Sequence, residues 1–516
     1  MPSLEELFGI GTEHVDDFPP PFASAVVYKN DSLNKVIAKK WNSNLGCWQR
    51  IAQGKAGVDD AKVIQSAINY VAAGVGGEVK IKSGEYLIKE IIQIGGANYI
   101  NIKGEGNVKL KASTNITNIF RQSGKTIKNF AMKNIELDGN DLADIVCYFE
   151  GGLENILFDN VNIHNSAKTF TVFFDTELGI NKKIALTNSK FGYSSSGYDI
   201  VGCGAEEISV LNCTFENNEN RRGEGIAIAG AKKAVIAFNR FLSPSKGFAD
   251  NAIHTESTCN DVIVVGNYIY QYAGHAIHIV NNVQRVIIEG NIVDATPAYL
   301  YGIAGAGDIY LSGVQNAVVR GNIIQNSSWN GIVGFDVENI IIENNVLIDA
   351  SWANTNVVLG DGTEHQRSAI AILNTAQANT AKRNIHIRSN LVRNINRIYT
   401  NGILVDNQYS DVYIYDNDIK DAFGEKLYCI ALNADIRRNA GYTTENSGTA
   451  SITGDGVTTT FTIPHGLVST PSYVNVLPKA GAPTPSSIDV DATNITLTFS
   501  TAPATGTYYY WWEARV

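Results

Sequence analysis

Short runs of alternating apolar and polar residues, most of them closed by an asparagine, recur through the middle of this chain. They end at Asn160 (ILFDN), Asn188 (IALTN), Asn212 (SVLN), Asn239 (VIAFN) and Asn267 (VIVVGN). The series continues at Asn291 (VIIEGN), Asn322 (VVRGN), Asn345 (IIIENN), Asn390 (IHIRSN) and Asn417 (YIYDN). Successive asparagines lie 23 to 31 residues apart, with one interval of 45. Each unit holds two or three short strand signals separated by Gly, Asn or Asp turns. A period-2 run of four to six residues cannot bury its apolar face alone, so the units are expected to stack. Each strand then pairs in parallel with its counterpart ~4.8 Å away on the next coil. The pattern predicts an all-β fold, a right-handed single-stranded parallel β-helix. The recurrent Asn is expected at a turn in the left-handed conformation, bonded to its neighbour along the stack. Leucine-rich repeats are excluded because the Leu spacing is wrong.

Other patterns flank the coils. In DDAKVIQSAINYVAAGVGG, Val63, Ile64, Ala67, Ile68 and Val71 recur at helical spacing, with Asp59 or Asp60 as the N-cap and the GVGG run as the stop. Such a helix would cover the open apolar end of the stack. Residues 24–52 read as a strand-rich arm. Beyond about residue 440 the period stops, and alternating segments ending in TGTYYYWWEARV predict a small antiparallel sandwich. The expected organisation is an N-terminal arm (1–55), a β-helix with its capping helix (56–440) and a C-terminal β-sandwich (447–516).

Aligning the strand after the third turn of each unit gives a register for the side chains. The segments are DIVGCG (199–204), GIAIAG (225–230), AIHTES (252–257), AIHIVN (276–281), DIYLSG (308–313), GIVGFD (331–336), AIAILN (369–374) and GILVDN (402–407). Second and fourth positions are apolar and face the core; first, third and fifth face outward. The third position reads Val201, Ala227, His254, His278, Tyr310 and Val333. His254, His278 and Tyr310 are therefore expected to stack on consecutive coils, beside Glu256 and Asp308. These residue types take and return protons, which suits abstraction of the proton α to a uronate carboxylate. Arg221, Arg222 or the Lys232/Lys233 pair would supply the cation that such chemistry needs. Glu224, Glu256 and Asp308 also allow the competing reading of a paired-carboxylate hydrolase. Asp250 and His275 are further candidates for binding substrate, and Trp329 and Trp352 for stacking on sugar rings. The long interval after Asn345 carries an insertion whose Glu364 and His365 rank below these.

Composition narrows the choices. The chain has 516 residues, 18% charged and 44% hydrophobic, and a net charge of −10, which argues against nucleic acid as a partner. No apolar run has the length of a membrane span, and the acidic N-terminus has no signal-peptide core. Six scattered cysteines (Cys47, Cys147, Cys203, Cys213, Cys259, Cys429) read as small buried hydrophobes. No cluster has calcium or zinc spacing. No cofactor is required on this reading, although an acidic groove can hold Ca²⁺.

The arm, the DDAKVIQSAINYV…GGEVKIKSGEYLI cap and the Asn-rich coils resemble the pectate-lyase-like β-helix superfamily over about residues 25–440. Within it they look most like phage tailspikes and related polysaccharide depolymerases. The resemblance implies a protein of the virion tail or extracellular space, acting on a long, uronate-containing glycan, with lyase chemistry favoured over hydrolysis. It also implies homotrimerisation, and the superfamily includes epimerases and non-catalytic adhesins as well. NAIHTES is loosely similar to the Asp-Pro-His segment of alginate epimerases but lacks the Asp-Pro pair. GHAIHI carries the Gly-His of polygalacturonase-type hydrolases without its Asp-Asp companion.

Overall fold

In the computed structural model each alternating run becomes a strand whose odd or even residues point inward. The structure describes residues 24–516 except 43–44, 46, 75, 96–98, 123–126, 169, 177–178, 180, 193–198, 217–222, 244–250, 257–258, 273, 295–306, 328–329, 351–355, 359–363, 367, 375–381 and 396–400. It forms two units, Met1–Val314 and Gln315–Val516. The protein is a right-handed parallel β-helix with additional antiparallel sheets at its C-terminus.

In the first unit the arm is an antiparallel meander of Ser24–Asn30, Lys35–Asn42 and Cys47–Lys55. Its first strand continues in parallel onto Gly77–Ile88, which starts the coils. The helix Asp60–Ala72 buries Ala61, Val63, Ile64, Ala67, Ile68 and Val71, the face expected from its spacing. Asp59 takes the N-cap position but its side chain makes no capping bond, accepting instead from the Lys55 amide. Asp60 is fully buried and holds the helix start to the coils. It accepts from the amides of Gly57 (2.9 Å) and Leu87 (2.8 Å) and pairs with Lys29 (3.0 Å).

Each following coil has three strands, and each strand pairs in parallel with the same strand one coil on. Asn155–Asp159, for example, pairs with residues 183–187, and Lys190–Gly192 with Thr214–Glu216. Exact register stacks like residues inside. Phe191, Phe215 and Phe241 lie face to face at 5.3 and 4.7 Å, so the rings fill the coil interior as a continuous column.

The asparagine corner differs from expectation, because the aligned asparagines occupy two adjacent positions. Asn160, Asn188 and Asn212 are left-handed (φ 50–54°) and exposed, and their side chains donate at the surface to Asn134, Asp159 and Asn188 in turn. Asn239, Asn267 and Asn291 fall one residue later and are buried. In those coils Phe238, Gly266 and Gly290 take the left-handed position. Asn267 and Asn291 use Oδ1 to accept the backbone and side-chain N–H of the Asn on the preceding coil, as Asn267 does for Asn239 at 3.0 Å, while Asn239 Oδ1 accepts the Cys213 amide. In each of the three, Nδ2 donates to a carbonyl of the preceding first strand. The left-handed slot favours Asn or Gly, with Phe238 the exception among these coils, whereas the buried slot needs a side chain that both donates and accepts, so Asn appears in both.

The second unit repeats the buried ladder through Asn322, Asn345, Asn390 and Asn417, and extends it to Asn439. Its C-terminal part comprises two three-stranded antiparallel sheets. Glu445–Gly454, Tyr473–Pro478 and Gly506–Arg515 form one, and Thr460–Pro464, Ser487–Val490 and Asn494–Thr498 the other. They enclose a core of Ile452, Ile463, Val476, Ile495, Leu497, Phe499, Tyr510 and Trp512. All six cysteines are free; Cys47 is exposed and Cys429 half-buried, so only the other four are the buried hydrophobes expected.

Candidate functional site

The third strands of the first unit carry the outward column. Ala227 pairs with His254, His254 with His278, and His278 with Tyr310. The flanking Ile253, Ile277 and Ile309 are fully buried, so strict alternation turns the polar side chains outward. One step before Ala227 the expected register slips by a residue. Gly202, not Val201, is the partner of Ala227, and Val201 and Cys203 face the core. Val201 and Cys203 fill inward positions between Val172 and Ile226 and between Phe174 and Ile228, and the glycines at 202 and 204 let the outer face pack against Phe170, Phe173 and Thr176.

The ring geometry is close. His254 and His278 stack at 4.5 Å with planes 16° apart. His275 begins its strand and lies 4.5 Å from His278 and 4.7 Å from Tyr310. Tyr310 meets His278 edge-on at 4.8 Å. His275, expected only as a binding residue, therefore belongs to the same cluster.

Glu224 joins it from the preceding coil. Its Oε1 lies 2.5 Å from His254 Nδ1, and both side chains are only 12% exposed. A carboxylate at that distance fits a proton on Nδ1, which leaves Nε2 of His254 as the basic nitrogen. Asn251 Nδ2 donates to the same Oε1 at 2.7 Å, and Asn251 Oδ1 accepts the His275 amide at 3.0 Å. Asn251 thus ties three coils together around the carboxylate. Sequence reasoning passed it over, although Asn recurs at the same corner at 330 and 401, accepting the amides of Ser368 and Glu425.

His278 behaves differently from His254. Burial pushes its pKa down to about 2, and the neighbouring His275 and His254 push the same way. Its Nδ1 is shielded from solvent and has no hydrogen-bond partner among the described residues. His278 is therefore neutral at physiological pH and a poor proton acceptor, which separates its part in the column from that of His254. A neutral imidazole there can donate a hydrogen bond or fill space between its neighbours.

Asp308 is buried at 5% exposure and leads into the strand that carries Tyr310. Glu256 ends the strand of His254, in register with Ala229, but its side chain is outside what is described. Arg221, Arg222, Asp250, Trp329 and Trp352 also lie outside the described residues. Glu364 lies in a two-stranded hairpin, Asn356–Val358 with Glu364–Gln366, that is separate from the third-strand column, and His365 lies beside it. Glu136, Asp138 and His164, on second strands of the first unit, come together with donor atoms within 4.8 Å of one another, a grouping that the third-strand register does not reveal.

The family described as a right-handed β-helix region matches residues 145–308, the stretch that holds Glu224, His254, His275 and His278. Among solved structures, tailspike protein 3 of bacteriophage CBA120 is 14% identical with a TM-score of 0.51, covering 73% of this chain and 59% of that one. This chain thus spans about three-fifths of that tailspike's length. The A-module of mannuronan C-5 epimerase AlgE4 from Azotobacter vinelandii is 15% identical with a TM-score of 0.43, covering 74% of this chain and 97% of that one. PfbA, a surface adhesin of Streptococcus pneumoniae, is 15% identical with a TM-score of 0.43, covering 60% and 91%. No curated protein matches the sequence. Fold and site together define a right-handed parallel β-helix protein with a histidine–tyrosine column on one face. Among the described residues no helix is long and apolar enough to cross a membrane.

Proposed function

We propose that this protein binds a polysaccharide along the third-strand face of its first unit and processes it there by proton transfer. The observation that carries the reading is the contact of Glu224 with His254 inside a stack that ends in Tyr310. In this reading His254 Nε2 takes the proton from the carbon α to a uronate carboxylate. Tyr310 returns a proton to the glycosidic oxygen in β-elimination, or to the opposite face of the carbon in epimerisation. Glu224 stabilises the imidazolium that forms, and Asn251 keeps Glu224 in place. His278 stays neutral between them.

Elimination is favoured over epimerisation and hydrolysis. The hydrolytic alternative is supported by two buried carboxylates, Glu224 and Asp308, on coils that flank the histidines. The tailspike likeness motivates the rest of the proposal, a homotrimer of the virion tail or extracellular space whose partner is a glycan. The test is incubation with a panel of acidic and neutral polysaccharides. Absorbance near 235 nm supports the lyase, and reducing ends without it support the hydrolase. Binding without any product identifies a glycan-binding adhesin and rejects the enzyme. Light scattering after size exclusion tests the trimer.

A further inference from the structure

Well before the histidine column, the second strands of three consecutive coils bring another set of side chains together. Lys109 pairs in register with Glu136, Glu136 with Asn162, and Asp138 with His164. Lys109 Nζ sits 2.8 Å from Glu136 Oε1 and 2.7 Å from Asp138 Oδ2. His164 Nε2 is 3.2 Å from the same Glu136 oxygen, and its Nδ1 is 3.7 Å from Asp138 Oδ1. One donor atom from each of Glu136, Asp138 and His164 lies within 4.8 Å of the others.

Several features set this cluster apart from an ordinary row of surface ion pairs. On neighbouring coils Lys80 and Lys82 share Glu78 and Glu105, two cations for two anions. Here one lysine faces two carboxylates. Asp138 is 4% exposed, and its Oδ1 is already held by Asn165 Nδ2 and the Asn140 amide, both at 2.9 Å. That arrangement aims Oδ2 at the ammonium, as an outer hydrogen-bond shell aims a metal ligand. Independently, the Oδ1 atom of Asn162, in register with Glu136, is shielded from solvent and has no hydrogen-bond partner among the described residues. Gly192 follows His164 in its column, where a Cβ would come within 2.7 Å of the His164 Cβ, so the glycine leaves the imidazole uncovered.

We propose that Glu136, Asp138 and His164, with the Asn162 carbonyl, form a site for a divalent transition metal that Lys109 closes when no metal is bound. The ammonium stands where the cation belongs, between two carboxylate oxygens. Its side chain is long and 29% exposed, so it can swing into solvent when a metal replaces it. One imidazole nitrogen with carboxylate and amide oxygens suits Zn²⁺ or Mn²⁺ better than a hard all-oxygen ion.

The experiment is titration of the full chain with Zn²⁺ against a chelating indicator, with thermal melts in parallel. The wild type is expected to bind a zinc equivalent that raises its melting temperature and that His164→Ala loses. Lys109→Met removes the competing ammonium and is expected to bind zinc at least tenfold more tightly. His278→Ala is expected to retain that equivalent. Melts without metal establish that each variant is folded, and His164→Gln substitutes if the alanine variant is not. Absence of saturable zinc binding in both wild type and Lys109→Met would mean that the cluster is only an ion-pair network. Binding unchanged in His164→Ala, or lost in His278→Ala instead, overturns the assignment equally.

Discussion

The third strands of the two units are built on one plan and finished differently. In the first unit the outward column is Ala227, His254, His278 and Tyr310, all partly open to solvent. In the second unit the column in the same register is Val333, Ala371, Leu404 and Tyr428. Val333, Ala371 and Leu404 are 0–1% exposed, although alternation assigns them to the outer face. The buried Asn ladder runs through both units with the same bonds and nearly the same lengths. The corner Asn also recurs in both, at 251, 330 and 401. Polar residues common to both units therefore maintain the coil. Those found in one unit only, above all Glu224, His254 and His278, are free of that task and are where chemistry belongs.

The largest expected effect tests the active side of this contrast. On a glycan that the wild type turns over, His254→Ala should lower kcat by about 10²- to 10⁴-fold, the usual worth of a general base. Glu224→Gln should act in the same direction by less. Both variants should stay folded, with a loss of stability of no more than a few kcal/mol from the broken Glu224–His254 contact, since the strand pairing is intact. A loss of stability matching the loss of activity would make the column scaffold after all. On the other unit the opposite is expected. Leu404→Ala should cost about 2–5 kcal/mol in denaturant unfolding, as for a buried leucine, with activity per folded molecule unchanged. Next in size, Asn267→Ala and Asn390→Ala should each cost roughly 3 kcal/mol, because each strands several buried donors and acceptors. Equal losses in the two units would support a common ladder; a loss confined to one would break the comparison.

The coil period, the helix face and the column of His254, His278 and Tyr310 were legible in the sequence because each rests on local alternation. Alternation determines which way a side chain points once the register is known. It failed at 199–204, where glycines and small residues satisfy either register and Val201 was placed outward. It failed again at the corner, since Asn suits both the left-handed turn and the buried ladder, and spacing cannot separate adjacent slots. The burial of Val333 and Leu404 depends on what covers them, which no strand period encodes. The contacts of Glu224 with His254 and Asn251 join residues about 25–30 positions apart, at distances set by rotamers. The Glu136–Asp138–His164 group was findable, since Lys-Leu-Lys (109–111), Glu-Leu-Asp (136–138) and Asn-Ile-His (162–164) share one outward–inward–outward pattern. The register of the third strands carries no information about it, since the group sits on second strands.

The smallest expected effect concerns His278 and has a definite sign. In the folded chain this histidine accepts a proton only near pH 2, whereas in the unfolded chain it does so near the ordinary value of about 6.5. Between those values the unfolded state binds more protons, so stability is full above about pH 6.5 and declines as the pH falls. From pH 6.5 to 5 the loss from this one group approaches about 2 kcal/mol. Denaturant unfolding of the wild type and His278→Gln at several pH values measures it, because the other titrating groups are common to both proteins. The variant should show a shallower decline below pH 6.5, whatever its stability at neutral pH. Parallel pH profiles would mean that His278 takes up its proton in the folded state as readily as in the unfolded one. The neutral imidazole would then have to be withdrawn from the site, leaving His254 without its distinction as the base.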